Sequence, residues 1–151
     1  MIYQKKYWAI LAIMACFVVT TQALAEAPPT PEEIADKCID SVTDLADRFV
    51  DHAQTVSDDC VGKIENLILT GRFEAAEAVA QKEIKNLRQR ADICSGKIHR
   101  RCKECAVKLL SLEKPALATK VKQACKEQVD KVRVACRQAV KAIKAVLPVA
   151  E

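Results

Sequence analysis

Residues 32–69 read EEIADKCIDSVTDLADRFVDHAQTVSDDCVGKIENLIL, and the spacing of their apolar members decides the fold. Ile34, Cys38, Val42, Leu45, Phe49, Ala53, Val56, Cys60, Ile64 and Leu67 follow one another at steps of four, four and three. Eleven residues make three helical turns at about 3.67 residues each, so this stripe stays on one face of a nearly straight helix. Related steps run through Phe73, Ala76, Ala80, Ile84, Leu87, Ala91, Cys94, Ile98, Cys102, Cys105, Leu109 and Leu112. They run again through Leu117, Val121, Cys125, Val129, Val132, Cys136, Val140, Ile143 and Leu147. Thr70-Gly71 and Pro115 divide the three stretches, all rich in helix-forming Ala, Leu, Lys, Glu and Gln.

The expected fold is therefore all-α: an antiparallel bundle of three long helices over 32–147, stapled by disulfides. Thr30-Pro31-Glu32-Glu33 supplies a helix start, with a cap, a first-turn proline and acids at the positive end of the dipole. Thr55-Val56-Ser57-Asp58 has the chemistry of a second cap. A break at 55–58 would give four helices, but the apolar register passes through without a phase jump. Three glycines in 151 residues are too few for a turn-rich β protein.

Residues 1–25 form a separate unit. Lys5 and Lys6 precede an apolar run from Tyr7 to Val19, and Ala23-Leu24-Ala25 offers a small-x-small cleavage site. That is the order of a secretory signal peptide. The run falls short of the roughly 20 residues that span a bilayer. Cleavage after Ala25 is expected to deliver a secreted or periplasmic protein with no stable membrane span. The alternatives are retention as an anchor and lipidation at Cys16. The proline-rich stretch 26–31 reads as an extended lead. Removal of 1–25 leaves 126 residues and seven cysteines, a size suited to one domain.

Export implies an oxidising space in which cysteines pair. In antiparallel helices, residues at one height have numbers with a constant sum. Taking Pro115 as the pivot levels Cys94 with Cys136 and Cys105 with Cys125. Taking Thr70 as the pivot levels Cys38 with Cys102. These are the three expected disulfides, with Cys60 left as a free thiol: a buried apolar group or, in the sharper reading, a reactive thiol or an intermolecular disulfide that would link a homodimer if Cys60 is exposed. Competing readings of the same cysteines are weaker. Cys102-Lys103-Glu104-Cys105 lies mid-helix with no strand beside it, unlike a dithiol oxidoreductase motif. Ala106 stands where haem attachment needs His. Cys94, Cys102 and Cys105 lack a tidy second pair for zinc, and a thiolate-lined bundle for Cu(I) would favour many i, i+4 cysteine pairs, of which there are none. No metal or cofactor is expected.

Charge is split along the chain. Residues 26–80 carry a net charge of −9 and residues 81–151 a net of +11. An acidic first helix beside two basic ones neutralises itself. The sharper reading is a basic face of Lys97, Arg100, Arg101, Lys103, Lys120, Lys122, Lys126, Arg133 and Arg137, for an unknown acidic protein or an anionic envelope component. Nucleic acid is not expected, because the exported chain would keep no Tyr or Trp on which bases could stack. His52 and His99 are sparse and no catalytic constellation is visible. The expectation is a binding or structural module rather than an enzyme, with a cysteine-based metal-binding or thiol-redox protein of the cell envelope as the alternative.

Overall fold

A computed structural model of the chain describes residues 28–148. They form three helices: α1 at Pro31–Leu69, α2 at Phe73–Ser111 and α3 at Pro115–Ala145, with no strand among the described residues. Each helix packs on both others. The fold is the expected all-α three-helix bundle. At about 1.5 Å per residue, α1 and α2 are each roughly 58 Å long. The expected signal peptide and the first residues of the lead lie outside the described residues.

Helix α1 begins in a capping box. The Glu33 N–H donates to Thr30 Oγ1 at 3.2 Å, and the Thr30 N–H donates to the Glu33 carboxylate at 2.9 Å. Two of the donors that a helix start leaves unsatisfied are thereby paired. The helix then runs unbroken past 55–58, so the four-helix alternative does not form. The capping chemistry at that point is spent within and between helices instead. The Thr55 hydroxyl donates to the Asp51 carbonyl one turn back, Asp58 accepts from the Gln54 amide, and Ser57 turns inward to donate to the Ala139 carbonyl of α3 at 3.4 Å.

Two three-residue turns of the same design reverse the chain. After α1, Gly71 adopts φ 74°, its N–H bonds the Ile68 carbonyl, and the Arg72 N–H bonds the Leu67 carbonyl. After α2, Glu113 adopts φ 58°, its N–H bonds the Leu110 carbonyl, and the Lys114 N–H bonds the Leu109 carbonyl. This is the Schellman closure, and its left-handed position favours glycine. The first turn has that residue and the second does not.

More than half of the buried apolar side chains are alanine or cysteine; the larger ones include Ile64, Leu87, Ile98, Leu109 and Ile143. Small side chains let helix axes approach. The stripe on α1 is wider than expected, because α1 faces two neighbours. Ala35, Ala46 and Ser57 are buried, while Ile34, Cys38, Leu45, Val56 and Leu67 pack partly buried at its margins. Phe73 and Leu112, expected inside, are exposed. Both sit at bundle ends. The parallel register of α1 with α3 pairs Asp36 with Lys120 and Asp47 with Lys131, each 84 residues apart. Extended to the first turn, that offset passes the end of α3 at Ala145, so α3 does not reach the level of Leu69 and the adjoining Phe73. The two ion pairs also repeat at the eleven-residue period of the apolar stripe, on both helices at once.

Candidate functional site

Two features stand out: the sulfur-rich end of the bundle, near the start of α1, and the basic seam between α2 and α3.

Among the described residues one disulfide is formed, Cys102–Cys125, with Cα atoms 6.3 Å apart. It replaces both the expected Cys105–Cys125 and the expected Cys38–Cys102 pairs. Cys94 and Cys136, the third expected pair, are separate thiols, as are Cys38, Cys60 and Cys105. The cause is the position of the hairpin. The turn centres on Glu113, not on Pro115, which slides α2 along α3 by about one helical turn. Cys102 then stands opposite Cys125 and Cys105 does not. The slide also moves Cys136 up to the level of Ala91, with Arg88 and Asp92 beside it. Cys94 faces α1 instead and donates to the Leu45 carbonyl at 3.5 Å.

Cys105 looks toward α1 as well. Its thiol reaches the Ile34 carbonyl at 3.8 Å, while the Cys38 thiol reaches the Arg101 carbonyl at 3.9 Å. The two thiols are close enough for each to act on the other's ionisation. Burial pushes the Cys38 thiol up to about 12, and the neighbouring Cys105 adds to the rise against the opposing Arg101. Burial likewise raises Cys60, Cys94 and Cys136. Glu83 adds to the rise at Cys60, and Asp92 adds to it at Cys136. Neutral thiols are weak nucleophiles and poor metal ligands, since both roles need the thiolate. Cys60 is 1% exposed. The homodimer expectation required an exposed Cys60, and from this depth it meets a second chain only if the helices part. No three or more His, Cys, Asp or Glu side chains converge as a metal site among the described residues.

The basic seam is made by spacing on α3. Lys122, Lys126, Asp130, Arg133, Arg137, Lys141 and Lys144 follow one another at four, four and three residues, the same steps as the apolar stripe. They run along one edge of the helix, and α2 supplies the other edge. Toward the turn, a groove of about 430 Å³ is lined by His99, Lys103, Lys122, Lys126 and Arg133 over a floor of Ala106, Val107, Leu110, Val129 and the disulfide. Farther along, a groove of about 580 Å³ is lined by Arg88, Arg133, Arg137, Lys141 and Lys144 over Ala91, Cys136 and Val140. Arg133 borders both grooves. Val107 and Leu110 are exposed in the first one. Asp130 contacts Arg133 at 3.5 Å, and Asp92 lines the second groove.

Of the expected anion-binding residues, Lys103, Lys122, Lys126, Arg133 and Arg137 come together on this seam. Lys120 does not: it turns to α1 and pairs with Asp36 at 3.1 Å. Arg101 and Lys97 stand beside the α1-facing Cys38 and Cys94, and Arg100 lines neither groove. Sequence reasoning missed Arg88, His99, Lys141 and Lys144. The four-four-three cation spacing on α3 was the available signal for the last two. His52, on α1, shares no groove with His99. Comparison with protein-family models, with curated proteins and with solved structures finds no match to this chain.

Proposed function

We propose that this protein is an exported helical module that acts by binding, and that the α2/α3 seam holds an anionic, partly apolar component of the cell envelope. The observation that carries this reading is the row of six cations on α3, interrupted only by Asp130, flanking an apolar floor. Cations at a rim steer and hold negative charge, and the low-dielectric floor strengthens each contact. The floor also gives an apolar portion of the ligand a place to leave water. The acidic α1 engages only Lys120 and Lys131 of α3 through ion pairs, and neither is on the seam. The seam cations are therefore not engaged by α1, and among the described residues only Arg133 has an acidic partner on the seam, Asp130. The residues 1–25 support delivery to an oxidising compartment, where Cys102–Cys125 persists. The alternative reading, metal-binding or thiol-redox chemistry, needs thiolates where burial favours thiols.

The test is binding to phosphatidylglycerol vesicles, with phosphatidylcholine vesicles as the neutral control, across a salt series. Each Lys or Arg close to an anionic surface contributes about 1 kcal/mol. A triple variant Lys126→Glu, Arg133→Glu, Arg137→Glu is expected to lose at least tenfold in affinity with its helical circular dichroism unchanged. Equal binding by wild type and variant, or binding indifferent to salt, refutes the reading.

A further inference from the structure

We infer that Cys38 and Cys105 form a second disulfide, which joins α1 to α2 at the same end of the bundle where Cys102–Cys125 joins α2 to α3. The geometry is reciprocal. Cys105 Sγ reaches the carbonyl of Ile34, four residues before Cys38, and Cys38 Sγ reaches the carbonyl of Arg101, four residues before Cys105. In a helix the carbonyl at i−4 accepts the N–H of residue i, so it lies directly beneath that residue. Each sulfur therefore crosses the α1/α2 seam to the level of the other's backbone. Helices whose side chains interlock in this way can bring Cα atoms into the 4.4–6.8 Å range that a disulfide needs. Both cysteines are half-buried, unlike Cys60, Cys94 and Cys136, so a small oxidant has access to them. The pairing is independent of what the basic seam holds.

The oxidant is a disulfide donor, either a small-molecule disulfide or an oxidised dithiol protein. Cys38, held protonated by its surroundings, is a poor first nucleophile, so the first attack falls to Cys105. The Cys105 thiolate displaces one thiol from the donor and leaves a mixed disulfide. Cys38 then gives up its proton and attacks the Cys105 sulfur, releasing the donor's second half as a thiol. Two protein thiols and one donor disulfide become one protein disulfide and two donor thiols. The outcome is an α2 helix fastened to both neighbours through the Cys102-Lys103-Glu104-Cys105 turn, one cysteine to each side.

The test uses the full chain incubated with oxidised glutathione, quenched with acid and iodoacetamide, denatured, and digested with trypsin. Lys103 lies between Cys102 and Cys105, so the digest places them on separate peptides. The expected result is a loss of two thiols per chain and a new linked pair joining Cys38 to Cys105, with Cys102–Cys125 unchanged. Cys38→Ser and Cys105→Ser should each abolish that loss. Circular dichroism of each variant separates a missing partner from a missing fold. Linkage of Cys38 to Cys102 or to any other cysteine overturns the inference. So does recovery of Cys38 and Cys105 as alkylated thiols or stable glutathione adducts.

Discussion

The Cys102–Cys125 bond should be worth about 3.4 kcal/mol of stability. It closes a loop with a sequence separation of 23, and the chain-entropy relation assigns a loop of that length roughly 11 cal/mol/K of lost unfolded-state entropy. The loop is the whole α2/α3 hairpin tip, so the bond confines the segment whose ordering the second turn must otherwise achieve alone. The clean perturbation is reduction in a Cys38→Ser/Cys105→Ser background, which leaves one bridge to open. Urea unfolding followed by helical circular dichroism, with and without reductant, measures the difference. Reduction should lower the unfolding free energy by about 3.4 kcal/mol, and the melting temperature by roughly 10–15 °C for a domain of this size. The urea dependence should steepen, because an unlinked chain exposes more surface when it unfolds. A change under about 1 kcal/mol, with the bond verified by mass before reduction, would refute the entropic reasoning.

Three other stability predictions rest on the turns and the thiols. Glu113→Gly should stabilise the protein by about 1 kcal/mol, because glycine removes the cost of holding a side-chain-bearing residue at φ 58°. Gly71→Ala should cost about as much at φ 74°, and through the local backbone alone, since no atom beyond the adjoining residues lies within 4 Å of the added Cβ; urea midpoints of both variants check the signs. Stability should be level below about pH 8 and fall above pH 9, because burial raises Cys60, Cys94 and Cys136 in the folded state from a starting value of 9.0. Between the unfolded and folded values the unfolded chain has lost protons that the native one keeps. Each thiol ionised only when unfolded removes about 1.4 kcal/mol per pH unit. Urea midpoints unchanged from pH 7 to 10.5 would contradict this account.

The fold was legible because its signal is repeated many times. An apolar stripe with steps of four, four and three tolerates an error at any one residue and still reports a long straight helix. The capping box at Thr30 was legible for a different reason: it is local, and four adjacent residues contain all of its partners. The disulfides were not legible, because a pairing depends on where a turn is centred, and proline marks the start of a helix rather than the middle of a turn. Glu113 hid the second turn. A left-handed residue without glycine leaves no trace in composition, so the pivot was set two residues too late. The basic face was half legible for a related reason. Listing cations by segment collected Lys120 and Arg101, which turn to α1, and passed over Lys141 and Lys144, which continue the row.

The same periodicity that makes the helices readable makes their cysteines ambiguous. Cys94 and Cys105 are eleven residues apart, as are Cys125 and Cys136, so each pair recurs on one face after three turns. A slide of one turn along the helix axis preserves every inward face while it exchanges the sulfur that meets Cys125, from Cys105 to Cys102. Hydrophobic burial alone barely distinguishes the two registers, because alanine and cysteine occupy so much of the core. What distinguishes them is discrete chemistry. The three-residue turn closed by Glu113 and Lys114 sets α2 against α3, and the Asp36–Lys120 and Asp47–Lys131 pairs set α3 against α1. Exposed ion pairs contribute little energy each, yet two of them sharing one offset oppose the same slip. With α2 held in that register, Cys102 is committed to α3 and Cys105, three residues on, is turned toward Cys38 of α1.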